Sequence, residues 1–185
     1  MWEQLQQWDR SLFIYLNSLG IEKYDAFWIF VTKIEHWIPL YILFFILFFI
    51  VYTRRKAFIG VSSTLVVFAV TLGLTEIVKN TVGRLRPNNN TELAELIRVL
   101  QTPGNFSFFS GHAAVSFAMT TFVVLALQSR FKWVYVFYIW PLLFIMSRIL
   151  VGVHYPGDIL VGALVGTTIG FFFWKYLGKR VLQKA

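Results

Sequence analysis

Hydrophobic residues form five long stretches without a charged side chain, and these stretches dominate the pattern of the chain. They cover residues 36–53, 57–75, 99–129, 133–147 and 159–174. A helix that crosses a membrane needs about 17–25 residues. The first two stretches reach this length alone, and the third has room for a helix and a loop. The last two reach it only if Arg148 and Asp158 lie in or at the rim of the membrane, where ionisable groups are costly and usually functional.

The N-terminal region has a different pattern. Residues 1–35 contain two amphipathic pieces, "LQQWDRSLFIYLNSL" and "YDAFWIFVTKI", each too short and too interrupted to cross a membrane. Their Trp and Tyr residues suit helices that lie at a membrane interface. We therefore predict an all-α integral membrane bundle with five transmembrane helices and N-terminal interfacial amphipathic helices. A sixth span within 1–35 is the alternative. Without repeats or linkers, residues 1–185 are expected to form a single domain.

Composition supports a membrane protein. The chain is 57% hydrophobic and 14% charged, whereas a soluble domain is usually about 45–50% apolar. Cysteine is absent from the sequence, so disulfide and thiol chemistry are excluded.

The charge distribution predicts the orientation of the bundle. The segments 53–56, 129–132 and 175–185 carry nine basic residues and no acidic ones, which places them on the cytoplasmic side by the positive-inside rule. Residues 1–35, 83–108 and 152–157 then lie on the outer side. Contact with anionic lipid explains the nine basic residues, so nucleic-acid binding is not indicated.

The remaining polar residues cluster at the outer ends of three spans. "EIVKNTVGRLRPNNN" closes the second span, "SFFSGH" opens the third, and "SRILVGVHYPGD" joins the fourth to the fifth. Lys79 and Arg86 are seven residues apart, close to two helical turns, so on a continuous helix they would point the same way. Two neighbouring cations repel each other unless an anion lies between them, and Arg and Lys both suit phosphate.

The start of the third span offers a second kind of phosphate ligand. A helix that begins near Ser110 has unpaired N–H groups and a positive dipole end, which together bind anions. Gly111 would let the main chain approach a ligand closely. His112 follows directly and is a candidate proton donor or acceptor.

The last motif supplies a candidate nucleophile. Asp158 lies four residues after His154, and a carboxylate that accepts one ring N–H leaves the other ring nitrogen free to attack. Arg148 adds another cation. Together these groups predict phosphoryl transfer through a phosphohistidine. Metal binding by His112, His154 and Asp158 is the alternative, disfavoured because nearby cations oppose a metal ion.

These motifs resemble those of the type 2 phosphatidic acid phosphatase (PAP2) family of integral membrane lipid phosphatases. The family pattern is K-x6-R-P, P-S-G-H and S-R-x5-H-x3-D, and this chain has "KNTVGRLRP", "FSGH" and "SRILVGVHYPGD" in the same order within residues 79–158. One position departs from the pattern, because Phe109 stands where the family has Pro. Proline would pre-set the backbone before Ser110.

The resemblance implies a role for each matching residue. His154 would be the nucleophile, Asp158 its orienting partner and His112 the general acid. The remaining matches would bind phosphate: Lys79, Arg86, Ser110, Gly111 and Arg148. It also implies a site that needs no metal or other cofactor, because cations and main-chain N–H groups stabilise the charge.

The sequence thus predicts a lipid phosphatase of the bacterial inner membrane, a multi-pass protein with its active site on the periplasmic face. The expected partners are membrane lipids and a phosphorylated lipid substrate, with undecaprenyl diphosphate the first choice. Phosphatidylglycerophosphate, phosphatidate and lipid A phosphate are the alternatives. A phosphotransferase remains a second interpretation, and a non-catalytic protein that binds or translocates phospholipids a third. Residues 91–100 are expected to form a short amphipathic helix near the site.

Overall fold

A computed structural model describes residues 1–93 and 95–182, and these residues form helices and connecting segments without a strand. The α-helices are α1 (Trp2–Ser18), α2 (Asp25–Thr32), α3 (Ile38–Val51), α4 (Arg54–Val82), α5 (Gly111–Leu127), α6 (Ile139–Leu150), α7 (Pro156–Phe173) and α8 (Lys179–Leu182). Short 3-10 helices cover Glu22–Tyr24, Ile34–Trp37, Pro87–Asn89, Thr91–Leu93 and Lys132–Tyr138, and a π-helical turn covers Trp174–Gly178.

Four helical segments are long and apolar enough to cross a membrane: Ile34–Val51, Arg54–Leu93, Lys132–Leu150 and Pro156–Gly178. Helix α5 is a shorter apolar helix of 17 residues, about 26 Å long at 1.5 Å per residue. The prediction of an all-α membrane bundle is confirmed. Among the described residues before Ile34, no helix is long and apolar enough to span, so the alternative of a sixth span gains no support.

Helix α5 lies at the centre of the bundle, in contact with α3, α4, α6 and α7. Its closest neighbour is α7, because three glycines of α7 leave no room for a Cβ. An added Cβ would lie 2.0–2.6 Å from a main-chain oxygen of α5 or its cap, at Gly162, Gly166 and Gly170 against Ser110, Ala114 and Ala118. Small residues four apart let two helices approach closely. This packing brings the N-terminus of α7 beside that of α5.

The connecting segments meet at two ends of the bundle. We call residues 1–37, 83–110 and 151–155 the site end. Residues 52–55, which include the start of α4, form the basic end together with residues 128–138 and 174–182. At the site end, α1 packs against α6 and α7, and the buried Phe13 ring meets Tyr155 edge to face at 5.4 Å. The side-chain amide of Asn17 donates to the main-chain oxygens of Arg98 and Ile149. The N-terminal segment is therefore part of the wall of the site end.

The expected amphipathic helix over 91–100 is wrong for the residues that the structure describes. Thr91–Leu93 form a 3-10 turn, residues 95–100 form turns and irregular chain, and Ala94 lies outside the described residues. From Arg98 onward, the main chain bonds to other segments instead of continuing a helix. The Arg98 N–H donates to Asn17 Oδ1 at 2.7 Å, and the Leu100 N–H donates to Val151 O at 3.0 Å.

Candidate active site

The three polar motifs converge at the site end. The first lies where α4 ends, the second where α5 begins, and the third in the turn between α6 and α7. All eight residues proposed for the site from the sequence belong to these motifs. The close packing of α5 on α7 is what joins the second motif to the third, because Ser110 N–H donates to Asp158 O at 3.0 Å.

Helix α4 ends before it reaches Arg86, so the expectation of one continuous helical face is wrong. Gly83 follows the last helical residue with a left-handed φ of 64°, and its N–H donates to Lys79 O at 2.9 Å. Glycine adopts this conformation without the steric cost that a side chain would add. Arg86 is then extended, with φ −74° and ψ 156°. The reversal of the chain after Gly83, and not helical periodicity, turns Arg86 toward the site.

The guanidinium of Arg86 is held on several sides. Its Nε donates to Asn105 O and its Nη2 to Asn105 Oδ1, both at 2.8 Å. Its Nη1 donates to Val153 O and lies 2.9 Å from His154 Nε2. Arg86 therefore links the loop before α5 to the candidate nucleophile.

The first turn of α5 faces Lys79. Ser110 is the buried N-cap residue, and its Oγ accepts the N–H of Ala113 at 3.4 Å. A Cβ added to Gly111 would lie 3.1 Å from Thr75 Cγ2 and 3.8 Å from Lys79 Nζ. The Lys79 ammonium thus lies against the start of the helix, where unpaired N–H groups and the helix dipole also favour an anion.

Phe109 occupies the position that differs from the family pattern. The peptide bond between Phe108 and Phe109 is cis. Because the Phe109 side chain is buried, its aromatic ring belongs to the packed interior beside the N-cap.

His154 and Asp158 are both fully buried and face each other. The Oδ2 atom of Asp158 accepts the N–H of Tyr155 at 3.1 Å and the hydroxyl of Ser107, and it lies 3.5 Å from His154 Nδ1. Since a guanidinium can only donate, its contact with His154 Nε2 requires an unprotonated Nε2. The proton of a neutral ring is then on Nδ1, which lies 3.2 Å from Ser107 Oγ and 3.5 Å from Asp158 Oδ2.

Arg148 and His112 are the last two of the eight site residues proposed from the sequence. The Nη1 atom of Arg148 donates to Thr32 Oγ1 and, at 3.1 Å, to Gln101 Oε1, while its buried Nε has no partner among the described residues. The ring of His112 lies 4.8 Å from that of Phe144, and no hydrogen bond joins it to the described part of the chain. Both side chains retain polar atoms for a ligand.

The electrostatics of the site keep His154 neutral. Burial, together with the charges of Arg86, Arg148 and Lys79, moves the pKa of His154 well below its usual range, so the ring carries no charge at neutral pH. A neutral imidazole has a free lone pair, and the cations around it attract a phosphate. Such an arrangement is suited to nucleophilic attack by a histidine on a phosphate.

Several contacting residues were not proposed from the sequence. Arg84 donates to Asp158 Oδ1 at 2.6 Å, in a stretch where the motif pattern singled out only Lys79 and Arg86. Four other contacting residues match no position of the family pattern, and each has a partner that is distant in the sequence. They are Thr32, Gln101, Asn105 and Ser107. For Ser107, its place in the quoted "SFFSGH" was the available signal.

A metal site has little basis in the described residues. They contain no group of three or more His, Cys, Asp or Glu side chains arranged to hold an ion. The set proposed as an alternative, His112, His154 and Asp158, lies among cationic side chains that oppose a metal.

Comparison with known proteins supports the resemblance seen in the motifs. The sequence model of the PAP2 superfamily matches residues 60–182. A lipid A 4'-phosphatase of Bacteroides thetaiotaomicron is 30% identical, with 94% of this chain and 79% of that protein aligned. An undecaprenyl-diphosphatase of Sulfolobus acidocaldarius is 31% identical, with 87% of this chain and 74% of that protein aligned.

Solved structures share the fold. A PAP2-type phosphatidylglycerolphosphate phosphatase from Bacillus subtilis superposes with a TM-score of 0.76 at 20% identity, over 94% of this chain and 86% of that one. Aquifex aeolicus LpxE has a TM-score of 0.67 at 26% identity, over 90% of this chain and 94% of that one. With the family match spanning the motifs that meet at the site end, the chain belongs to the PAP2 superfamily and is a multi-pass membrane lipid phosphatase.

Proposed function

We propose that this protein removes a phosphate group from a phosphorylated lipid through a phosphohistidine at His154. The observation that carries the proposal is the pair of contacts on the His154 ring. Arg86 Nη1 lies 2.9 Å from Nε2, and Asp158 Oδ2 lies 3.5 Å from Nδ1. One ring nitrogen is therefore oriented by a carboxylate, and the other faces a phosphate-binding cation, as a nucleophile requires.

In the first step, the lone pair of His154 Nε2 attacks phosphorus, and the bond from phosphorus to the leaving oxygen breaks. His112, protonated, donates its proton to that oxygen. Arg86 Nη1 moves from Nε2 to a phosphate oxygen as the bond forms. Lys79, Arg148 and the first N–H groups of α5, beginning at Gly111, stabilise the charge that spreads over the phosphate oxygens.

In the second step, His112 takes a proton from a water molecule, and the water oxygen attacks the phosphohistidine. The bond between phosphorus and Nε2 breaks, which returns His154 and releases inorganic phosphate. A lipid monophosphate yields an alcohol, and a lipid diphosphate yields a monophosphate. Asp158 keeps the Nδ1 proton in place throughout, so Nε2 is ready for the next attack.

For the substrate we place a lipid A phosphate first and undecaprenyl diphosphate second. The order reverses the expectation from the sequence. It rests on two relatives named lipid A 4'-phosphatase, each aligned with 94% of this chain, whereas the aligned undecaprenyl-diphosphatase covers 87%. Phosphatidylglycerophosphate and phosphatidate complete the set of substrates to compare.

We also propose that the site end faces the periplasm of a bacterial inner membrane. The positive-inside rule favours a cytoplasmic basic end, which carries the exposed side chains of Arg54, Arg55, Arg130 and Lys132 in or beside its loops. The site would then meet lipids of the outer leaflet.

The test is a comparison of initial rates of phosphate release by the purified protein in detergent, with excess chelator. The panel contains lipid A, undecaprenyl diphosphate, phosphatidylglycerophosphate and phosphatidate. Release that is fastest from lipid A supports lipid A as the preferred substrate, and fastest release from undecaprenyl diphosphate reverses the order. No release from any lipid contradicts the phosphatase mechanism, and loss of activity with chelator contradicts the metal-free site.

The intermediate is tested separately with a substrate labelled in its phosphate. Rapid quenching at alkaline pH, where phosphohistidine survives, should trap label on the wild-type protein and none on His154→Ala. Turnover should fall by about ten thousandfold or more in the variant, as for other catalytic nucleophiles. Normal turnover by His154→Ala contradicts the mechanism. Transfer of label to an added lipid alcohol in preference to water indicates a phosphotransferase.

A further inference from the structure

The acidic residue Asp9 of α1 reaches the candidate site from the N-terminal segment. Its Oδ2 accepts from Arg84 Nη2 at 2.7 Å, and its Oδ1 accepts the N–H of Gly157 at 2.7 Å. Its side chain is only 16% exposed. A single carboxylate thus binds both a cation beside the site and the first turn of α7.

The approach of Asp9 to α7 leaves no space for a side chain at residue 157. A Cβ added to Gly157 would lie 2.9 Å from Asp9 Oδ2 and 3.2 Å from the other carboxylate oxygen. Helix α1 is therefore seated directly on the turn that carries His154 and Asp158.

Arg84 lies between two carboxylates and an aromatic ring. Its Nη1 donates to Asp158 Oδ1 at 2.6 Å, its Nη2 donates to Asp9, and its guanidinium carbon lies 4.1 Å from the centre of the Tyr155 ring. A guanidinium is charged at any physiological pH, so both carboxylates attract it. The guanidinium plane is therefore fixed by three neighbours.

The two oxygens of Asp158 have different partners. Arg84 binds Oδ1, whereas Oδ2 faces Ser107, the Tyr155 N–H and His154 Nδ1. A partial rotation of the carboxylate would lengthen the contact with Arg84 and the contacts of Oδ2 together. Arg84, along with Ser107 and the Tyr155 N–H, thus fixes how Asp158 faces the histidine.

We infer that Asp9 is a positioning residue of the reaction, which holds Arg84 against Asp158 and thereby keeps Asp158 Oδ2 directed at His154. This inference rests on the proposed role of His154 as nucleophile. Within the described part of the chain, no hydrogen bond or ion pair joins the side chain of Asp9 or Arg84 to a group proposed to bind phosphate, so their effect is on the nucleophile and not on substrate binding.

Arg84 also influences the charge state of His154. The charged and titratable groups that face the His154 ring come from every neighbouring element: Lys79 of α4, Arg84 and Arg86 of the following loop, His112 of α5, Arg148 of α6 and Asp158 of α7. If Arg84 leaves Asp158, the uncompensated carboxylate favours the protonated ring. The pKa of His154 then rises, and activity is lost at a higher pH on the acid side.

The substitution Asp9→Asn tests the ion pair between Asp9 and Arg84. Asparagine keeps an oxygen that can accept the Gly157 N–H, but it has no charge to hold Arg84. We expect kcat to fall by about tenfold to a hundredfold, as is usual for residues that orient a catalytic group. KM for the lipid should stay unchanged, and the acid limb of the kcat profile should move to higher pH.

Glu92→Gln is the matched control, because it breaks another ion pair of α1. Arg10 Nη1 lies 2.8 Å from Glu92 Oε2, with side chains 44% and 71% exposed. Among the described residues, no hydrogen bond or ion pair joins the Glu92 side chain to the candidate site. This variant should keep wild-type kcat and the wild-type pH profile. Thermal unfolding of each variant in detergent separates loss of folded protein from loss of turnover. In an Arg84→Ala background, Asp9→Asn should have little further effect on kcat, because Asp9 acts through Arg84.

The outcomes distinguish this inference from the proposed function. If wild type turns over, His154→Ala is inactive and Asp9→Asn keeps the wild-type kcat and acid limb, the inference is overturned and the mechanism stands. The inference is also overturned if Asp9→Asn lowers kcat without moving the acid limb of the pH profile. The same holds if Asp9→Asn lowers kcat as much in the Arg84→Ala background as it does in the wild type. If wild type releases no phosphate, or His154→Ala retains full turnover, the proposed function fails and the inference fails with it.

Discussion

The charged residues of the candidate site are buried, whereas those of the basic end are exposed. At the site end and the adjoining helix termini, Lys79, Arg86, Arg148 and Asp158 are each at most 6% exposed. At the basic end, Arg54, Arg55, Arg130 and Lys132 are exposed. Beneath them lies an apolar core rich in aromatic side chains, including Phe44, Phe48, Phe122, Phe137 and Trp140.

The contrast shows that the energetic cost of burying charged side chains is concentrated at the candidate site. Removing an ion from water costs several kcal/mol unless partners compensate, so a cluster of buried cations lowers stability. That cost is compatible with a site that binds an anionic substrate. We therefore expect changes to the buried charged residues of the candidate site to affect turnover first, and changes at the basic end to affect stability or nothing.

After the loss expected for His154→Ala, the largest effect of a single change is that of His112→Ala at the start of α5. Loss of the proposed general acid should lower kcat by about a hundredfold to ten thousandfold, whereas the affinity for lipid should change little because the cations remain. Single-turnover kinetics with the best lipid of the panel measure both quantities. Wild-type kcat would contradict the role of His112, and a rise in KM alone would make it a binding residue.

An intermediate effect, on stability alone, is expected for Phe122→Ala near the basic end. Phe122 is fully buried and packs in the core shared with Phe48. Removing a buried aromatic side chain costs about 3–5 kcal/mol. Thermal unfolding in detergent should shift to lower temperature, while kcat per folded molecule stays at the wild-type value. A lower kcat in the folded fraction would mean that the two ends are coupled.

The smallest effect is expected for Arg55→Gln, which removes an exposed charge at the basic end. Substitutions at such positions usually change stability by no more than about 0.5 kcal/mol. Phosphate release and the unfolding temperature should both match wild type. A clear loss of activity would show that the contrast between the two ends is wrong.

Much of the fold could be predicted from the sequence because its main signals are local. The length of an apolar stretch limits the helix that it can form, and the start of α5 at Gly111 with Ser110 as its cap follows from helix-capping chemistry. Membership of the PAP2 family, the membrane bundle and the lipid phosphatase activity are confirmed. The catalytic roles and the cellular location stay predictions.

The errors share a physical cause. An amphipathic pattern predicted a helix near Thr91, but hydrogen bonds from Arg98 and Leu100 to other segments outweigh that propensity. Likewise, helical periodicity linked Lys79 to Arg86, although the chain leaves the helix at Gly83. In both cases contacts or turns outside the local pattern decided the backbone.

The kinds of chemical group in the site, and the helix ends that carry them, can be read from motif spacing and apolar length, because both are properties of neighbouring residues. The partner of each group depends on the tertiary structure. Asp9 and Arg84 are 75 positions apart, and so distant a pair meets only after the helices pack. That packing depends on how closely α7 approaches α5 at Gly166 and on where α1 rests against Gly157, distances that no local pattern encodes.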